Sequence, residues 1–152
     1  MPRPGAAHAR LEKLVGTWRG EEKMSPSPWM PEGGTAIGEV TNRIAMDGFN
    51  VVQDYTQTRD GTVSFRGHGV FGWDDTRKEY TLHWFDSMGM PPNVFRGSFD
   101  GDTLTLSSHD PRVHSRTVFD FGAPGSYRFK MEMSQDGNAW HAMMEATYSR
   151  TD

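Results

Sequence analysis

Residues 14–24 read LVGTWRGEEKM. An apolar stripe of Leu11, Leu14 and Val15 runs into Gly16, a tryptophan follows two positions later, and the apolar spacing then changes. A glycine behind such a stripe suits a helix end, because it enters positive φ without a Cβ clash. The spacing predicts one short helix from Ala6 to Val15 and a first strand over 17–24. Trp18 then points inward and plugs one end of the sheet, with the helix leucines packed across it.

The rest of the chain continues the two-residue period. Asp-Gly occurs at 47–48, 60–61, 100–101 and 136–137, a pair that tolerates the positive φ of tight hairpins. WDDTRKE (73–79), MGMPPN (88–93), HDPR (109–112) and GAPG (122–125) add further breaks, so turns recur about every 10 to 15 residues, as in hairpin-linked sandwiches and barrels. Between turns the pattern alternates. In SYRFKMEMS, Tyr127, Phe129, Met131 and Met133 share one face and Arg128, Lys130 and Glu132 the other. This places strands near 17–24, 35–46, 49–58, 62–73, 79–87, 93–99, 102–108, 112–121, 126–134 and 139–149.

One short helix cannot cover so wide a sheet. Rolling the sheet up removes its edges and turns one face into a core, so the expected fold is all-β: an antiparallel up-and-down barrel of about ten strands, one end closed by the helix. A two-sheet sandwich satisfies the same pattern.

Composition narrows the class. The 152 residues suit a single domain, 1–152, and the 35% apolar fraction is concentrated in five Trp, nine Phe, four Tyr and ten Met, which argues for a folded chain. A net charge of -4 without a dense basic patch argues against nucleic acid. Zero cysteines exclude disulfides, thiol catalysis and thiolate metal sites. MPRPGAAHARLEKLVG has no apolar signal core and no run approaches a membrane span, so the expectation is a cytoplasmic protein with no membrane partner. A secreted chain stripped of its leader would read the same. A homodimer is compatible with this composition.

Gly-x-Trp at the start of the first strand resembles the calycin superfamily of lipocalins, fatty-acid-binding proteins and nitrobindin-like haem barrels. His8, Leu11, Leu14, Gly16 and Trp18, then FNVVQDY (49–55) and WFDSMG (84–89), resemble an uncharacterised bacterial family of single-domain lipocalin-like proteins over nearly the whole chain. The resemblance implies the barrel and brings no activity with it.

No zincin, serine-hydrolase, Walker or dinucleotide motif is present. Gly67, Gly69 and Gly72 lie in a β pattern and are expected to let the strand bend at a barrel corner. Of six histidines, His109 and His114 flank HDPRVH and can approach each other with Asp110, yet ordinary hairpins carry such residues and no metal is expected. His68 is expected to be a plain strand residue. Nitrobindin-like barrels hold haem through a histidine near the end of the last strand, where this chain aligns Glu145. His141 falls four residues earlier, an even step that keeps His141, Met143 and Glu145 on one face, so His141 could reach an iron only from a shifted depth, and the glutamate at the ligand position makes haem disfavoured.

The inward face gives the site. Its parity gathers Gln53, Trp84, Tyr127, Phe129, Met131, Met143 and His141 as ligand-contacting residues, with Ser115 and Thr117 beside them. A barrel of this width leaves room for a small apolar or amphipathic ligand or substrate in an aromatic, methionine-rich lumen. The alternative is an isomerase, cyclase or hydratase in which Asp86 or Glu145, with Tyr55, moves a proton. For Asp86, walled by Trp84 beside the pliable SMGMPPN segment, lost hydration would favour the protonated acid. The plainer role is a cap on the Ser87–Gly89 turn.

Overall fold

The computed structural model describes residues 1–28 and 30–152. It is a closed barrel of ten antiparallel strands, each paired with its sequence neighbours, with the first and last strands zipped together. The strands are β1 (Gly16–Met24), β2 (Gly34–Ala45), β3 (Asn50–Arg59), β4 (Thr62–Asp74), β5 (Glu79–Asp86), β6 (Asn93–Asp100), β7 (Thr103–His109), β8 (His114–Asp120), β9 (Ser126–Ser134) and β10 (His141–Arg150). Closure, rather than a sandwich, follows from the β1–β10 pairing, in which Trp18 stands opposite Arg150 and Met24 opposite Met144. The hairpin signals hold: Asp60 and Gly61 take φ 51° and 78°, and Gly101 and Gly137 take φ 59° and 82°.

The N-terminal cap is shorter than expected. An α-helix, α1 (Ala6–Arg10), passes into a 3-10 turn, Leu11–Leu14, and Val15 is already extended. Gly16 therefore does not terminate the helix but opens β1, at φ 140°. A side chain there would collide with the Arg150 guanidinium, which donates to the Val15 carbonyl at 2.9 Å and lies 4.3 Å above the Trp18 ring. Glycine is favoured here because a φ of 140° is a backbone conformation that side chains rarely adopt, and the arginine uses the space left beside it.

Trp18 is buried, its indole N–H donating to the Leu14 carbonyl at 2.9 Å and its ring meeting Tyr127 edge-on at 4.9 Å. Leu11 and Leu14 are buried against it. The cap is tied to the barrel floor by Tyr80 Oη donating to the Ala7 carbonyl (2.7 Å), and to the β6–β7 hairpin by Arg10 on the Gly101 carbonyl (2.9 Å) and Lys13 on Asp102 (2.6 Å). With that end plugged, an interior cavity can open only toward the opposite rim.

One irregularity in β10 reverses an expected parity. His141 stands opposite Met133 and Ala142 opposite Glu132, but Met144 then stands opposite Met131, so the register shifts across Met143. A bulge inserts one residue and flips the faces that follow. Met144, Ala146 and Tyr148 consequently face the core, and Glu145, expected inward, is exposed on the outer wall opposite Lys130 and Lys23.

Candidate functional site

The end of the barrel opposite the cap holds a cavity of about 450 Å³. Its walls come from both halves of the chain, because every strand except β7 contributes inward positions. Trp84, Phe65, Phe95, Phe119 and Phe129 form an aromatic belt, and Met24, Met30, Met131, Met133, Met143 and Met144 supply most of the rim. Six thioethers on unbranched stems make an apolar entrance that repacks at little cost. Met88 and Met90, in the pliable segment after Asp86, are exposed and lie outside this lining.

Of the sequence-predicted residues, Gln53, Tyr55, Trp84, Asp86, Tyr127, Phe129, Met131 and Met143 all line the cavity. Thr117 does too, while Ser115 is buried nearby without reaching it. His141 and Glu145 do not; both are exposed. No histidine is among the described lining residues, so the lumen does not fit a histidine-ligated haem. His109 and His114 do meet, Nδ1 to Nδ1 at 2.8 Å, but Asp110 turns to Arg112, and no group of three metal-ligating side chains exists among the described residues. His68 hydrogen-bonds Asp54 on the outer face at 2.8 Å.

Asp86 caps the turn and faces the cavity at once. Its Oδ1 accepts from the Met88 N–H at 3.0 Å, capping the turn, and its Oδ2 accepts from the Trp84 indole N–H at 3.0 Å, inside the cavity. The indole has room because positions 67 and 69 lack side chains: a Cβ at Gly67 would overlap the Trp84 ring, and one at Gly69 would crowd both that ring, at 3.3 Å, and Leu82 Cδ1, at 2.8 Å. These glycines seat an aromatic wall.

The residue that sequence reasoning missed is Glu22. It is fully buried, and its two oxygens accept from Tyr55 Oη (2.6 and 2.7 Å), Gln57 Nε2 (3.0 Å) and the Tyr148 hydroxyl, the last a very short contact. The signal was present, since counting in twos from an inward Trp18 through Gly20 reaches Glu22. Two glycines facing each other on β1 and β2, Gly20 and Gly38, make the space: a Cβ at position 38 would strike the Glu22 carboxylate, and one at position 20 would strike the Thr147 carbonyl and crowd the Tyr148 ring. Burial first, and then the Glu22 charge, push the Tyr55, Tyr127 and Tyr148 phenols well above their ordinary range, so all three keep their protons at neutral pH. Tyr55 and Tyr148 line the cavity with Glu22 behind them, so the floor is a carboxylate screened by two phenols.

The model of one family, described as "Protein of unknown function (DUF1579)", matches residues 3–150, and the chain belongs to that family. No curated protein sequence matches it. Among solved structures, Rv2717c from M. tuberculosis is similar at a TM-score of 0.70 and 15% identity, covering 97% of this chain and 99% of that one. The S-type phycobiliprotein lyase CPES from Guillardia theta is similar at a TM-score of 0.64 and 14% identity, covering 98% and 99%. At such identities the likeness is one of fold.

Proposed function

We propose that this member of the DUF1579 family acts as a single lipocalin-like domain of the calycin type that binds a small apolar or amphipathic molecule in its lumen. The observation that carries the reading is the cavity: about 450 Å³, walled by aromatic rings and methionines, plugged at one end and rimmed by adaptable side chains at the other. That volume and lining are those of a small-molecule site, where a few polar groups orient an otherwise apolar guest. A similar barrel in a phycobiliprotein lyase supports a lumen adapted to a guest, at the level of fold alone.

The proton-transfer alternative keeps Asp86 and Tyr55 on the cavity wall and loses Glu145 to the outer face. Tyr55 holds its proton against Glu22, and both Asp86 oxygens are engaged, so binding is the better supported function.

The test uses the neutral dye Nile red, whose fluorescence rises in apolar surroundings, and mass spectrometry of whatever co-purifies. Saturable dye binding to the wild-type protein, lost in a Met131→Trp variant that fills the cavity but still melts cooperatively, is the expected result. Equal dye binding by both proteins would place the dye elsewhere and sink the proposal.

A further inference from the structure

We infer that the lumen selects a cationic guest: an apolar or aromatic body carrying a protonated amine or a quaternary ammonium group. The inference rests on the lumen-binding reading and names the charge of its ligand.

The charge distribution is one-sided. Asp86 is the sole charged residue among the described residues lining the cavity, and no lysine or arginine is among them. Behind the wall lies Glu22, fully buried, and none of the protein's ion pairs among the described residues includes it. A buried carboxylate is normally accompanied by a cation or a metal. Here three neutral donors hold it, and its charge projects through the two phenols into a low-dielectric space.

The hydrogen-bonding capacity of the wall points the same way. Tyr55 and Tyr148 spend their O–H donors on Glu22, and Tyr55 Oη also accepts from Gln57 Nε2 at 3.3 Å, so neither phenol has a donor left for a guest. The Trp84 N–H is spent on Asp86, and Gln57 donates to Glu22 while its Oε1 accepts from Ser64 at 3.0 Å. Gln53 alone brings an amide with no partner among the described residues. The Tyr127, Ser25 and Ser27 hydroxyls also line the cavity and can donate or accept, so the bias of the wall is one of charge, which a guest with a diffuse positive charge or charged N–H donors satisfies. The belt of Trp84, Phe65, Phe95, Phe119 and Phe129 adds ring faces, whose quadrupole attracts cations. A carboxylate guest would be stripped of water between Asp86 and the Glu22 cluster, and like charges in such proximity are costly. The guanidinium of Arg59 lies just outside the lining, with Nη1 3.3 Å from Met30 Sδ, and is where an anionic head group would have to go.

Three probes of one shape test the inference by calorimetry at neutral pH: 1-naphthylmethylamine, 1-naphthalenemethanol and 1-naphthoate. The amine is expected to bind most tightly, the alcohol next and the carboxylate at least about tenfold more weakly than the amine. Glu22→Gln keeps the shape and one acceptor but removes the charge, and should weaken the amine several-fold more than the alcohol, bringing the two affinities together. If that variant does not fold, Asp86→Asn serves, with a loss for the amine larger than for the alcohol. Carboxylate binding as tight as the amine's, abolished by Arg59→Gln, would overturn the cationic assignment while leaving lumen binding intact. Failure of all three probes, together with Nile red, would overturn lumen binding itself.

Discussion

Glu22 occupies the space that a side chain at Gly38 would need, so the strand beside β1 gives up a Cβ to let a carboxylate stand inside the barrel. The carboxylate has little freedom to retreat, being held by Tyr55, Gln57 and Tyr148. Gly38→Ala should therefore destabilise the protein by about 1–3 kcal/mol, the usual penalty for overpacking a filled site. Urea denaturation checks it, and an unchanged midpoint would mean that Glu22 moves aside freely.

Trp18→Ala should cost more, about 3–5 kcal/mol, because it empties an aromatic core site and removes the platform on which Arg150 lies. The Leu14 carbonyl keeps a second donor in Asn42 Nδ2 at 2.8 Å, so the loss is one of packing more than of hydrogen bonding. A melting temperature equal to that of the wild type would contradict the plugged-end geometry.

Asp86→Asn leaves one acceptor oxygen for two donors, the Met88 N–H and the Trp84 indole. A loss of about 1 kcal/mol is expected, the typical net worth of one hydrogen bond. Trp84 emission should change as well, since its indole loses or shares a partner. A fall in stability with an unaltered emission spectrum would confine the role of Asp86 to the turn.

Acid stability has a specific contributor in the β9–β10 turn. The Ala139 and Asn138 N–H groups and the Ser134 hydroxyl hold the Asp136 carboxyl down at about 2. Below its unfolded pKa, about 3.9, the unfolded chain binds a proton that the native turn refuses, so the stabilisation present at higher pH is lost as pH falls toward 2. Side-chain carbon NMR should give Asp136 a midpoint near 2. Asp136→Ala should flatten the dependence of melting temperature on pH in that window and leave it unchanged above. A midpoint in the ordinary aspartate range would refute the turn's grip on the carboxyl.

Most of the barrel was legible in the sequence because its information is local. Asp60-Gly61 and Asp100-Gly101 announce hairpins through their own backbone preferences, and alternation between them gives the faces. Glu145 was misplaced because a bulge at Met143 leaves no mark in the alternation of AWHAMMEATYS and inverts the faces after it, while His141, before the bulge at the start of the strand, stands exposed beyond the cavity lining. Glu22 was passed over for another reason. In GTWRGEEKM two adjacent glutamates look like a solvated pair, and only the mate of Trp18 by parity is inside. What makes its burial tolerable, two phenols from β3 and β10 and glycines on β1 and β2, lies far off in sequence and meets only in the closed form. Gly16, Gly67 and Gly69 tell the same story, since each yields space to a specific side chain, Arg150 or Trp84, that local propensity does not name.

The Tyr148 hydroxyl reaches Glu22 across 126 residues of sequence, between the two strands whose pairing shuts the barrel. Until β10 docks on β1, that carboxylate stands in water at an open sheet edge; once it docks, the same event removes the edge and dries the charge. Contacts of such sequence separation form late and slowly, because the loop entropy is lost before they reward it. Folding should accordingly end in one slow, all-or-none closure, during which Glu22 keeps the unfinished edge wet and charged and so protects the half-made sheet from pairing with another chain.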